Sequence, residues 1–99
     1  MTMPTGLRLV RATPEYTDAT VPVGLLAAHR VADGVWGRLR VRAGTVGFVF
    51  ETEPSTTHDV LAGAYIDIAP TVAHRVEPRP GCRFVVEFWG PILGAETVH

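Results

Sequence analysis

Proline and glycine break the chain at short intervals, and this bounds the fold more tightly than any other feature. Eight prolines and ten glycines are spread along 99 residues. Proline removes a backbone donor and clashes with the preceding helical turn, so little room is left for a long helix. The segments between the breaks are short and rich in Val, Leu, Ile and Phe, which is strand composition. Leu7–Arg11 reads as a first strand at a sheet edge. Val23–Val31 reads as a second, with a helical alternative over its Leu-Leu-Ala-Ala core. Val35–Arg42 alternates cleanly, with Val35, Gly37, Leu39 and Val41 on one face and Trp36, Arg38, Arg40 and Arg42 on the other. A turn at Ala43-Gly44 leads into Thr45–Glu51, and the two strands read as a hairpin. Glu53–Asp59 is expected to be a loop and Ala64–Ala69 a strand. Ala73–Glu77 and Cys82–Trp89 are expected to form a second hairpin around Pro78–Gly81. The tail from Ile92 to His99 reads as a helical turn or an added edge strand.

Seven or eight short strands with regular turns predict an all-β domain, a sandwich or a barrel, in one unit spanning residues 1–99. Hydrophobic residues make up 46% of the chain and charged residues 19%, enough apolar content for one modest core. Open strand edges in so small a domain favour a homodimer. The single cysteine, Cys82, allows no intrachain disulfide, and a reducing cytoplasm fits it. No secretory leader and no membrane-spanning run is read in the sequence. The nine basic residues are all arginine and are scattered, with a net charge of −1. Arg38, Arg40 and Arg42 form at most a stripe on a solvated sheet face, and nucleic acid is not expected as a partner.

The chemistry-bearing candidates are few. Of the four histidines, His99 is terminal and His58 sits in a Ser/Thr-rich stretch. His29 and His74 lie on or at the end of apolar strands. Each is either a hydrogen-bonded structural histidine or a ligand. Glu87 lies in CRFVVEFWG, where both strand faces look apolar, so its carboxylate either points into a site or pairs with an arginine. Two imidazoles and a carboxylate on different strands suit a divalent metal: zinc first, iron or nickel next. Trp36, Phe48, Phe88 and Trp89 are either pocket walls or plain core. Cys82 reads as a small buried residue, with a reactive thiol as the alternative.

Three stretches carry a family resemblance. They are H-R-x-x-x-G-V-W-G from His29, P-x-x-x-H-x-V-E from Pro70, and F-x-V-E-F from Phe84. Together, from about Val23 to Gly90, they resemble the small cupin-like domain associated with tellurite resistance, found with TehB-type proteins and in the stand-alone YeaR-like family. The resemblance implies a cupin-type double-stranded β-helix, a jelly-roll barrel. It maps His29 and His74 onto metal-ligand places, with Glu87 and Glu77 completing the sphere. Glu77 has the opposite strand parity to His74 and joins only if the chain bends before Pro78. The match to the general cupin motifs is partial: Gly37 stands where a glutamate ligand is usual, and the second motif is one residue short. The methyl transfer of full-length TehB-type proteins belongs to a separate domain, and no strand followed by a Gly-rich loop and helix occurs here.

The resulting expectation is a metal-binding cupin-like protein that also takes a small anion or oxyanion. Two alternatives stand beside it. One is a small metalloenzyme acting on an organic acid. The other is a metal-free dimeric sensing or interaction domain in which His29 and His74 only hydrogen-bond.

Overall fold

The computed structural model describes residues 2–91. Eight strands follow in chain order: β1 Leu7–Ala12, β2 Tyr16–Thr17, β3 Trp36–Ala43, β4 Thr45–Phe50, β5 Thr56–Leu61, β6 Tyr65–Ile68, β7 His74–Pro78 and β8 Arg83–Pro91. One 3₁₀ turn, Val23–Leu26, lies between β2 and β3. All strand pairs are antiparallel. The larger sheet has the order β1-β8-β3-β6, with β2 also on β8, and the smaller has the order β5-β4-β7. Among the described residues no helix is long and apolar enough to cross a membrane.

The inner faces follow from the period-2 rule. On β3, Leu39 and Val41 point inward, and on β8 Phe84 and Val86 do; β4 supplies Val46, Phe48 and Phe50 from the other sheet. Leu39, Val46, Phe48 and Phe84 are at most 1% exposed, so the core lies where the two sheets face each other.

Two expected hairpins are absent. β3 pairs with β6 and β8, while β4 pairs with β5 and β7, so Ala43-Gly44 is a corner between sheets. The same is true of Pro78–Gly81, which carries the chain from β7 in one sheet to β8 in the other. The corners pack on each other: Gly44 has φ 66°, and a Cβ placed there would lie 3.0 Å from the Cys82 Cα. That crowding holds the corner shut where a hairpin would leave it free.

Three further expectations are corrected. Val23–Val31 is no strand; it is the 3₁₀ turn followed by one isolated bridge at His29. The expected loop over Glu53–Asp59 contains most of β5, which is polar because it is largely exposed. The expected closed barrel is replaced by two facing sheets. On one side β5 and β6 stand apart across an open groove of about 650 Å³ lined by residues such as Thr56, His58, Tyr65 and Asp67. On the other side, among the described residues, only the His29–His74 bridge meets the free edge of β7. The reading of the tail lies outside the described residues, as does His99.

Candidate functional site

The inner faces of the two sheets leave a cavity of about 260 Å³ between them. Leu39, Phe48, Ile68, Val76 and Val86 form its apolar walls. Among the described residues its polar lining is Arg11, Thr13, Tyr16, His29 and His74, with no carboxylate.

His74 opens β7, and Phe50 is its partner in the register with β4, so its side chain faces inward. It is 4% exposed. The ring stacks on Phe48, with centroids 5.3 Å apart and planes 15° apart. The His29 ring meets it edge-on at 5.4 Å and 88°. The backbones are fastened too: each residue's N–H donates to the other's carbonyl at 2.8 Å. This mutual exchange is the tight pairing of an antiparallel ladder, reduced here to a single rung. His74 Nδ1 lies 2.9 Å from the Val72 carbonyl oxygen. A carbonyl only accepts, so Nδ1 carries the proton, and in the neutral ring Nε2 is the acceptor. Burial pushes the His74 pKa down; the bond to Val72 resists, and nearby His29 adds to the lowering.

The carboxylates expected beside these histidines are elsewhere. Glu87 sits between inward-facing Val86 and Phe88 on β8 and therefore points to the outer face. Its Oε2 accepts from Arg40 Nε at 2.8 Å and its Oε1 from Trp89 Nε1 at 3.1 Å. Glu77 lies opposite Gly47, on the outer face of the smaller sheet, and pairs with Arg75 at 3.0 Å. β7 runs through to Pro78 without the bend that Glu77 would need. The expected sphere of His29, His74, Glu87 and Glu77 is therefore not assembled. Among the described residues no group of three His, Cys, Asp or Glu side chains converges as a metal site. Two imidazoles fall short of the three protein donors usual for a catalytic zinc.

The aromatic candidates divide by strand parity. Phe48 and Phe88 line the cavity. Trp36 and Trp89 are cross-strand partners on the outer face of the larger sheet. Cys82 is fully buried, and burial raises its thiol pKa, which suits a packing role. The arginine stripe is neutralised: Arg38 binds Asp67 at 2.6 Å, Arg40 binds Glu87, and Arg42 lies 3.4 Å from Glu15. His58 is exposed in the groove between β5 and β6.

Arg11, Thr13 and Tyr16 were not among the residues expected from the sequence. All three lie on or beside the short strands β1 and β2, and nothing in the spacing of LRLVRATPEYT marks them as a lining.

The TehB-like domain family matches residues 11–86. The chain belongs to the TehB-like family. That is the family its three motifs resemble. Two solved structures share the fold of this TehB-like chain. A protein of E. coli strain K12 superposes with a TM-score of 0.84 at 22% identity, over 94% of this chain and 99% of that one. TehB from Haemophilus influenzae superposes with a TM-score of 0.81 at 24% identity, over 90% of this chain and 33% of that one. The chain thus spans about a third of the Haemophilus protein's length. No curated protein matches this TehB-like chain.

Proposed function

We propose that this TehB-like domain is a small-molecule-binding module whose site is the cavity between the sheets, and that its ligand is a small anion. One observation carries the reading: the cavity is apolar-walled, and among the described residues its titratable lining is Arg11, His29, His74 and Tyr16, with no acid. Concave apolar sites with a few convergent polar groups are where small ligands bind. A site bearing cationic and hydrogen-bonding nitrogen groups without a carboxylate favours negative charge. Strand order supports a cupin-like ancestry for the site, because β3–β4, β5–β6, β6–β7 and β7–β8 each cross between sheets, as in a double-stranded β-helix opened along one side.

Metal is not needed for this reading. With Glu87 held by Arg40 and Trp89, and Glu77 exposed beside Arg75, the described residues place two imidazoles at the cavity and no anionic donor beside them. Protein purified without a nickel column is expected to hold well under one equivalent of zinc, iron or nickel.

The test is amide chemical-shift mapping with short-chain and aromatic carboxylates. Shifts concentrated on Leu39, Phe48, Ile68, His74 and Val86 are expected. Shifts confined to the outer face, or none across the panel, would overturn the proposal.

A further inference from the structure

We propose that Arg11 is the anchor for the charged group of the ligand, and that this ligand is an organic carboxylate with a short apolar body; the inference rests on the cavity reading above. The argument begins with a register shift. On β1, Leu9 pairs with Trp89 of β8, yet Arg11 pairs with Phe88, so Val10 is an extra residue in the ladder. Without it, Arg11 would stand opposite Glu87, on the outer face, as an ordinary ion-pair partner. A bulge re-aims side chains next to a site. Here it turns Arg11 to the side of Phe88, which lines the cavity.

Among the described residues, Arg8 and Arg11 are then left without an acid, and of the two only Arg11 lines the cavity. Arg38, Arg40, Arg42, Arg75, Arg79 and Arg83 each pair with a carboxylate. Arg30 donates to the Thr71 carbonyl at 2.6 Å. Among the described residues, Arg11 makes neither an ion pair nor a hydrogen bond. Its guanidinium carbon lies 4.2 Å from the centre of the Phe88 ring. Stacking of this kind fixes the guanidinium plane and leaves its N–H edge available for a two-pronged contact with a carboxylate. Arg11 and His29 also line a second, outer recess of about 340 Å³. They therefore stand at the mouth, where the inner cavity meets the outside.

The ligand class follows from the two ends. The mouth offers a fixed cationic fork, and the walls behind it are Leu39, Phe48, Ile68, Val76 and Val86. A bare inorganic oxyanion would engage the fork and leave those walls unfilled. A carboxylate with a short chain or one ring satisfies both. A volume of about 260 Å³ is just below the usual range of small-molecule sites, which suits an acid of that size.

The experiment is calorimetric titration of the wild-type chain, Arg11→Leu, Arg11→Lys and Arg8→Leu with hexanoate, hexanamide and inorganic phosphate. Hexanoate is expected to bind the wild type and to lose about 10-fold to 100-fold in affinity in Arg11→Leu, the range for a charge-assisted hydrogen bond. Arg11→Lys keeps the charge, loses the flat fork and is expected to fall between. Arg8→Leu, on the same strand and outside the cavity lining, is expected to match the wild type. Hexanamide is expected to bind more weakly and equally to wild type and Arg11→Leu. Equal hexanoate affinity in wild type and Arg11→Leu would overturn the role of Arg11 and leave the cavity reading intact. Phosphate binding without hexanoate binding would overturn the organic class. No binding of either hexanoate or hexanamide would overturn both readings together.

Discussion

Thr71 has φ 65°, the one positive value at a non-glycine position among the described residues. A β-branched residue in the left-handed region is under strain. The segment around it explains why the strain is held. The Thr71 N–H donates to the Val31 carbonyl at 2.9 Å, and its own carbonyl accepts from Arg30. One residue on, the Val72 carbonyl receives the His74 ring proton. The strained turn thus ties the His29–Val31 segment to the His74 ring. Thr71→Asn keeps these backbone bonds and tolerates the conformation better, so it is expected to stabilise the protein by about 0.5–1 kcal/mol. A urea midpoint that falls instead would refute the strain argument. At this scale the site was partly legible. His29 and His74 stood out as polar residues in apolar segments. For Glu87 the sequence left a site and an arginine pair both open, because both parities of β8 look covered: its outer neighbour Trp89 is aromatic and lies beneath Arg38, whose guanidinium carbon is 5.7 Å from the ring centre. Arg11 was missed because a bulge at Val10 reverses strand parity, and no residue type announces a bulge.

Corners, more than strands, decide which elements meet. Gly44 and Gly81 both have positive φ, 66° and 84°, but their surroundings differ. A Cβ at Gly44 would press on the Cys82 backbone, whereas at Gly81 nothing lies within 4 Å. Gly81→Ala is expected to cost about 1–2 kcal/mol from backbone conformation alone. Gly44→Ala adds overpacking against main chain and is expected to cost about 2–4 kcal/mol. Equal costs in chemical denaturation would show that the corner contact carries no energy. The alternation of β3 was readable because its inner and outer residues differ so sharply in polarity. The sheet assignment of its neighbours was not, since Ala43-Gly44 and Pro80-Gly81 are equally good turn chemistry for a hairpin and for a crossing. What separates the two is the identity of distant partners. β5 escaped notice because Val60 is its one buried residue.

Over the whole molecule, stability should fall with acid in two windows. His74 has a folded pKa below its ordinary value, so its unfolded form binds more protons; its contribution is complete above about pH 6.5 and is lost as pH falls below that. For Asp67, burial alone would raise the pKa, but Arg38 and the Met3 N–H outweigh it and hold the carboxylate below its usual range. That contribution is present above about pH 4 and is lost on further acidification. Melting temperature is therefore expected to drop between pH 7.5 and 5.5 in the wild type and to stay flat over that interval in His74→Gln. A flat wild-type profile would remove His74 as the cause. The all-β class was legible from punctuation alone, because composition acts along the entire chain; the opening of the presumed barrel was not, because it depends on how far the edges of β5 and β6 stand apart. The strand order also governs how the molecule comes into being. β8 is the last described strand, yet it lies inside the larger sheet, hydrogen-bonded to β1 on one side and β3 on the other. The early strands must wait for it. Emerging from a ribosome, the first eighty residues hold no finished larger sheet, and assembly is expected to be slow and to come late, with loop closure over long separations preceding any gain from pairing.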